Sequence, residues 1–189
     1  MRIDDALFYV SLDESVAVDD LEDWCSSAVA GGVDVVECRS GDELARISGV
    51  CRREEIIAAT ALDGTAVEVE ADAVVINAGE MSVGLARGMV QPGVLTGVRA
   101  ATLNDIILAV ETDCDFVVYT GGHDAHQVFA AVMRPGVPLF AGGMRCLDDI
   151  EAVIAAGVFR IAVPAALLGD NSTVRDNAAK ISRLLGREI

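Results

Sequence analysis

LFAGGMRCLDDIEAVIAAGVFRIAVPAALLGD, the stretch from Leu139 to Asp170, predicts a strand, a double-glycine turn, an amphipathic helix, a second strand and a turn of small residues. The first strand ends at Gly142-Gly143 and the second at Pro164-Ala165-Ala166. Turns with this much bare backbone are typical of sites that bind a phosphate through N–H groups. The candidate phosphate-binding residues are therefore Gly142, Gly143, Ala165 and Ala166. The helix between them is expected to bury Leu147, Ile150, Val153 and Ile154 on one face.

The same strand–helix unit recurs along the whole chain. Eight short apolar runs, as continuous as parallel strands buried on both faces, are ALFYVS (6–11), VDVVECR (33–39), EIIAAT (55–60), AVVINA (73–78), VLTGVR (94–99), DFVVYT (115–120), PLFAGG (138–143) and FRIAVP (159–164). Helical patterns separate them; Thr102 is a plausible N-cap, and segments 63–70 and 82–90 leave room only for short helices. Eight repeats predict a single-domain (β/α)8 TIM barrel of minimal size over residues 1–189, with an open doubly wound sheet as the alternative.

Composition narrows the classes of partner. The 189 residues carry a net charge of −16, so the chain repels nucleic acid and anionic membranes. The apolar runs are too short to cross a bilayer and the first ten residues are charged, which favours a cytoplasmic protein. The five cysteines form no CxxC pair, so we expect reduced, mostly buried thiols and no zinc site. The sequence leaves open whether the chain forms a homo-oligomer.

In such a barrel the functional side chains lie at the carboxyl ends of the strands. Arg39 and Arg99 are placed there, and two guanidinium groups would make an anion-binding site. The alternative is that both arginines form structural ion pairs with Glu37, Glu80 or Asp63. Since Glu37 and Arg39 share one strand face, we expect Glu37 to pair with Arg39.

Four segments resemble motifs of the thiamine phosphate synthase and thiazole tautomerase superfamily. They are AVAGGVDVVECRSGD (28–42), EADAVVINAGE (70–80), VLTGVRAATLNDIILAVETDCDFVVY (94–119) and VPLFAGGMRCLDDIEAVIAAGVFRIAVPAALLG (137–169). The likeness covers nearly the whole chain and is best in the last segment. It implies a divergent member of that superfamily, a small phosphorylated molecule as ligand, and a role in thiamine metabolism.

The resemblance also implies which parts of the synthase site are kept. The synthase joins a pyrimidine methyl pyrophosphate to a thiazole phosphate, and Mg²⁺ and cations stabilise the departing pyrophosphate. Arg39 matches a catalytic arginine of the family, and Glu80 matches a metal aspartate, which makes Mg²⁺ the one cofactor implied. Other family positions are replaced: the glutamine by Glu37, the lysine by Gly41, the first metal aspartate by Ala61, and two serines by Arg99 and Ala165. The resemblance therefore implies that the thiazole-phosphate half of the synthase site is better preserved than the pyrophosphate half.

The only two histidines, His123 and His126, follow the sixth strand. Their spacing could serve a metal, but no third ligand is evident. The tautomerase branch uses a histidine after strand 6 to move a proton on the thiazole, so the resemblance makes His123 a candidate catalytic acid–base residue. The alternative is a solvated loop histidine beside Asp124.

Three functions remain open on the sequence. The first is a thiamine-phosphate-synthase-like transferase or tautomerase-like isomerase. The second is a non-catalytic barrel that kept the fold and binds a ligand or a partner. The third is a phosphate-barrel isomerase outside thiamine metabolism.

Overall fold

The computed structural model describes residues 1–62, 70–121 and 136–188. Eight parallel strands form a closed barrel in chain order, and β1 pairs with both β2 and β8. The TIM-barrel prediction is confirmed, and the open-sheet alternative is wrong because the β1–β8 pairing closes the sheet. The strands are β1 Phe8–Ser11, β2 Val35–Cys38, β3 Ile57–Ala61, β4 Ala73–Asn77, β5 Leu95–Ala100, β6 Phe116–Tyr119, β7 Leu139–Ala141 and β8 Ile161–Pro164.

Helices follow the strands and cover the outside of the barrel. In the described residues they are α1 Leu21–Ala30, α2 Gly41–Arg53, α3 Val83–Met89, α4 Leu103–Glu111, α5 Leu147–Ala155 and α6 Val174–Leu184, with short 3₁₀ turns at Ile3–Asp5, Val18–Asp20 and Ala165–Leu167. Thr102 caps α4 as predicted, in a capping box with Asp105. In α5, Ile150 and Val153 are buried, whereas Leu147 and Ile154 are only partly so. The segment 63–69 and the residues after strand 6 from 122 to 135 lie outside the described residues.

Alternate strand residues fill the inside of the barrel. Tyr9, Phe116 and Phe140 meet there, and the Tyr9 and Phe140 rings are 5.4 Å apart between centroids. Gly97 makes room for this layer, since a Cβ atom at that position would overlap the Phe116 ring. The aromatic layer closes the middle of the barrel and leaves the ends of the strands above it as the mouth.

A buried carboxylate, Asp34, links the residues at the start of β1 to Arg187, which follows the last helix. Asp34 is 2% exposed and accepts hydrogen bonds from the backbone N–H groups of Leu7 (2.8 Å) and Phe8 (3.0 Å). Its other oxygen accepts from Arg187 at 2.8 Å. One side chain therefore holds the entry to β1 and the end of the chain together. Among the helices of the described residues, none is long and apolar enough to cross a membrane.

Replacing Asp34 with alanine is expected to lower the free energy of unfolding by at least about 2 kcal/mol, because two buried N–H groups and Arg187 lose their acceptor. Urea unfolding of the parent and the variant measures it. The control is Asp4→Ala, which removes an ion pair with Arg2 whose side chains are 58% and 81% exposed. That control should change stability by less than about 0.5 kcal/mol. Equal losses in the two variants would contradict the role of Asp34.

Candidate functional site

Three polar side chains from strands β2, β4 and β5 line the floor of the mouth. Glu37 lies on β2, Asn77 ends β4 and Arg99 lies on β5, each on the same face as the inward-facing residues of its strand. The strand register places Asn77 opposite Arg99. This polar floor lies directly above the aromatic layer, where the sequence predicts the functional end of the barrel.

Glu37 is the buried charge of this floor, with 3% of the residue exposed. The Tyr9 hydroxyl donates to Glu37 Oε2 at 2.8 Å, and Arg99 Nη2 donates to Oε1. Burial, followed by the nearby Glu37 charge, raises the pKa of Tyr9 well above its ordinary value. Burial disfavours the charged form of Arg99, but Glu37 outweighs this and raises the pKa of the guanidinium. Arg99 is therefore a neutralised cation.

Arg99 and Glu80, predicted as anion-binding and metal-binding residues, are linked through Asn77. Arg99 Nη1 donates to Asn77 Oδ1 at 3.1 Å, and Asn77 Nδ2 donates to Glu80 Oε2 at 2.9 Å. Glu80 is exposed, and Ala61, at the position where the resemblance implies a second metal carboxylate, carries no ligand atom in its side chain. Within residues 1–62, 70–121 and 136–188, no group of three His, Cys, Asp or Glu could hold a metal ion. Mg²⁺ is usually bound by one or two carboxylates together with water and phosphate oxygens, so the role of Glu80 as a metal ligand stays a prediction.

Arg39 pairs with Glu43, and the expected pairing with Glu37 is wrong. Arg39 Nε donates to Glu43 Oε1 at 2.8 Å, and its backbone N–H donates to Oε2 at 2.9 Å. The physical reason is that Arg39 follows the last residue of β2 and turns toward α2, while Glu37 faces across the interior to Arg99. The hydrogen bond to Glu43 raises the pKa of Arg39. The side chain remains 34% exposed.

Sequence analysis missed Glu43, although the sequence carries a signal for it. Ser40 caps α2 and accepts the Glu43 backbone N–H at 3.3 Å, as the Ser-x-x-Glu spacing of a capping box predicts. In a full capping box the Glu43 side chain would accept the Ser40 N–H. Here it accepts from Arg39 instead, so the glutamate of this motif fixes the arginine.

The double-glycine turn after β7 is the first half of the candidate phosphate site. The Gly142 N–H donates to the Tyr119 carbonyl at 2.6 Å and so belongs to the β6–β7 pairing. A Cβ atom at Gly142 would come within 2.7 Å of that carbonyl oxygen, which explains the glycine. Gly143 has φ +84°, a conformation that residues other than glycine rarely adopt. Of the pair, Gly143 has the backbone conformation that lets a ligand approach closely, and phosphate binding by both glycines stays a prediction.

The turn after β8 is the second half. Ala165 is fully buried, whereas Ala166 is exposed. The Ala166 N–H donates to Asp13 Oδ2 at 3.1 Å. Asp13, which follows β1, thus brings a carboxylate to an amide expected to bind phosphate. No local pattern indicates a contact between residues 153 positions apart.

A cavity of about 1120 Å³ lies away from all of these residues. It lies at the amino ends of the strands, beside Ile57, Leu95 and Pro138. In TIM barrels that face contributes stability and the opposite face carries the chemistry. His123 and His126 lie outside the described residues, and the catalytic role of His123 stays a prediction.

The fold defines a (β/α)8 barrel with a polar floor at the carboxyl ends of its strands. No protein-family model matches the chain. A thiamine-phosphate synthase of Methanoculleus marisnigri is 30% identical over 188 residues, 86% of this chain and 87% of that protein. The chain therefore belongs to the thiamine-phosphate synthase family.

Two further comparisons agree with this assignment. A thiamine-phosphate synthase of Parasynechococcus marenigrum is 29% identical over 190 residues and 88% of this chain. The match spans 52% of that protein, so the chain covers about half the length of this relative. The structure of thiamine phosphate pyrophosphorylase from Pyrococcus furiosus superposes with a TM-score of 0.79 at 19% identity over 96% of each chain, which is a likeness of fold.

Tyr9→Phe is expected to flatten the fall of stability at alkaline pH. Because the folded-state pKa of Tyr9 lies above its ordinary value of 10.0, the unfolded chain releases this proton first. The contribution of protonated Tyr9 to the free energy of unfolding is therefore complete below about pH 10, and it is lost as the pH rises toward the folded-state pKa. Urea unfolding midpoints measured between about pH 8 and pH 11 give the slope of stability against pH. The control, Tyr119→Phe, removes the other tyrosine hydroxyl of the chain and leaves the Tyr9–Glu37 bond in place; identical slopes in all three proteins would contradict the assignment.

Proposed function

We propose that this member of the thiamine-phosphate synthase family binds a small phosphate ester of the thiazole-phosphate type and does not perform pyrophosphate-releasing coupling. The observation that carries the proposal is that both arginines singled out for the mouth, Arg39 and Arg99, are bonded to carboxylates of the chain itself. A phosphate monoester held by backbone N–H groups does not depend on those two cations.

The mouth is poorly suited to a leaving pyrophosphate. Stabilising that polyanion requires positive groups aimed at the charge that develops. Glu43 and Glu37 already neutralise Arg39 and Arg99. The single lysine of the chain, Lys180, lies in α6 with Glu151 at 4.0 Å and is remote from the family's lysine position.

The phosphate end retains features that suit an anion. Gly143 keeps the positive φ that lets bare backbone approach a ligand closely, and the Ala166 amide already donates to an anionic oxygen. Family membership supports a ligand drawn from thiamine metabolism, and the third possibility, an isomerase outside it, has less support. These residues are the proposed contacts of the phosphate.

The chemistry that follows binding is proposed to be an isomerisation with His123 as the proton-transfer group. A neutral imidazole suits that role near neutral pH. The second candidate function, a non-catalytic ligand-binding barrel, is favoured by the same neutralised arginines. Turnover of the parent protein with bound thiazole phosphate separates the two.

We expect no efficient thiamine-phosphate synthase activity. Losing one preorganised charged group typically costs on the order of 10²–10³ in rate, and here the lysine and one metal carboxylate are replaced together. The assay combines the protein, Mg²⁺, the pyrimidine pyrophosphate and thiazole phosphate, and measures released pyrophosphate. An authentic synthase of the family serves as the control. Turnover of about 1–10 s⁻¹ would overturn this part of the proposal.

Gly143→Asp is expected to abolish phosphate-ester binding, because its carboxylate stands where the phosphate is proposed to bind. Gly143→Asn is the matched control, since both residues tolerate a positive φ and have the same size but only one is charged. Thermal-shift titration with thiazole phosphate reports binding, and a ligand at 100 times its Kd stabilises by about 2.7 kcal/mol. The asparagine variant should retain part of the shift. Undiminished binding by the aspartate variant would show that the site lies elsewhere.

A further inference from the structure

Asp13 in the loop between β1 and α1 is held by three donors. Its Oδ2 atom accepts the Ala166 N–H at 3.1 Å, and its Oδ1 atom accepts the Ser15 N–H at 2.9 Å and the Ser15 hydroxyl. Partial burial opposes ionisation, but the hydrogen bonds from Ser15 and Ala166 outweigh it and lower the pKa of this carboxyl. The group is therefore an anion at neutral pH.

The loop presents this carboxylate from a fixed position. Leu12 and Val16, on either side, are 6% and 5% exposed and belong to the core. The Leu12 N–H also donates to the Glu37 carbonyl at 2.8 Å, which ties the loop to β2 beneath the mouth. Asp13 thus lies between two anchored residues, and its contact with Ala166 follows from the packing of the loop.

We propose that Asp13 is an affinity-determining and specificity-determining residue that competes with the phosphate of the ligand for the Ala166 amide. The inference rests on the proposed function, since it concerns the same site. A carboxylate oxygen and a phosphate oxygen accept the same N–H group, so only one of them occupies it. Binding a phosphate ester then requires Asp13 to give up this hydrogen bond while remaining close to the incoming charge.

Two consequences follow for ligand selection. The affinity for a phosphate ester is held below what the backbone alone would provide, because a charged acceptor must first be displaced. Repulsion from Asp13 also grows with the charge of the ligand, so the site discriminates against pyrophosphate more strongly than against a monoester. The paired arginines Arg39 and Arg99 also disfavour pyrophosphate, because their charges are already neutralised by Glu43 and Glu37.

The test compares Asp13→Ala with Glu14→Gln by isothermal titration with thiazole phosphate at constant ionic strength. Asp13→Ala should bind about 10- to 100-fold more tightly than the parent, the usual effect of one hydrogen bond to a charged group. Glu14→Gln removes one negative charge from the next residue of the loop, which is exposed, and should change the affinity little because solvent screens it. Asp13→Asn keeps an oxygen acceptor without the charge and should give a smaller gain in the same direction.

The outcomes separate this inference from the proposed function. Tighter binding by Asp13→Ala alone supports it, as does a shift of the Ala166 amide NMR signal on addition of the ligand that is smaller in the parent, where one anionic acceptor replaces another, than in the variant. If the parent binds thiazole phosphate and Asp13→Ala binds it equally well, the inference is overturned while the proposed function stands. Equal gains in the Asp13 and Glu14 variants also overturn it, since net charge would then be the cause. Failure of the parent and of every variant to bind overturns both.

Discussion

The buried carboxylate of Glu37 is the interaction on which the arrangement of the mouth depends. A charge that is 3% exposed inside a barrel is costly unless it is fully paired, and Tyr9 and Arg99 each occupy one of its oxygens. Satisfying Glu37 fixes Arg99, and Arg99 in turn orients Asn77, which holds Glu80. The floor of the mouth is one connected network, so no member can be reassigned to a ligand without disturbing the others.

Much of the fold could be predicted from the sequence because its causes are local. Continuous apolar runs give buried parallel strands, and Thr102 with Asp105 gives a helix start that a four-residue pattern already contains. Closure of the barrel depends on the β1–β8 pairing, a contact between the two ends of the described chain. The count of eight units predicted it, since an open sheet of that connectivity would leave both edges unpaired.

The partners of charged side chains could be predicted only in part, because they depend on distances across the barrel. Residue spacing predicts Glu37 and Arg39 on one strand face, yet β2 ends at Cys38 and Glu37 reaches Arg99 on the far side of the interior. Arg39 lies past the strand end, where Glu43 is nearer. The contact of Asp13 with Ala166 joins the first and last loops of the barrel, and no spacing in the sequence indicates it.

Binding and catalysis place different demands on this mouth, which is why a family member can keep one without the other. A bound phosphate ester needs donors of fixed geometry, and the backbone N–H groups proposed for this role, at Gly143 and Ala166, would supply them without a charged side chain. Accelerating the departure of pyrophosphate needs interactions that strengthen as charge develops. A cation already bonded to Glu37 or Glu43 stabilises such a transition state less than an unpaired cation aimed at it. In the proposed function, the carboxylates that pair with Arg39 and Arg99 are therefore the groups that remove both arginines from the chemistry of the synthase.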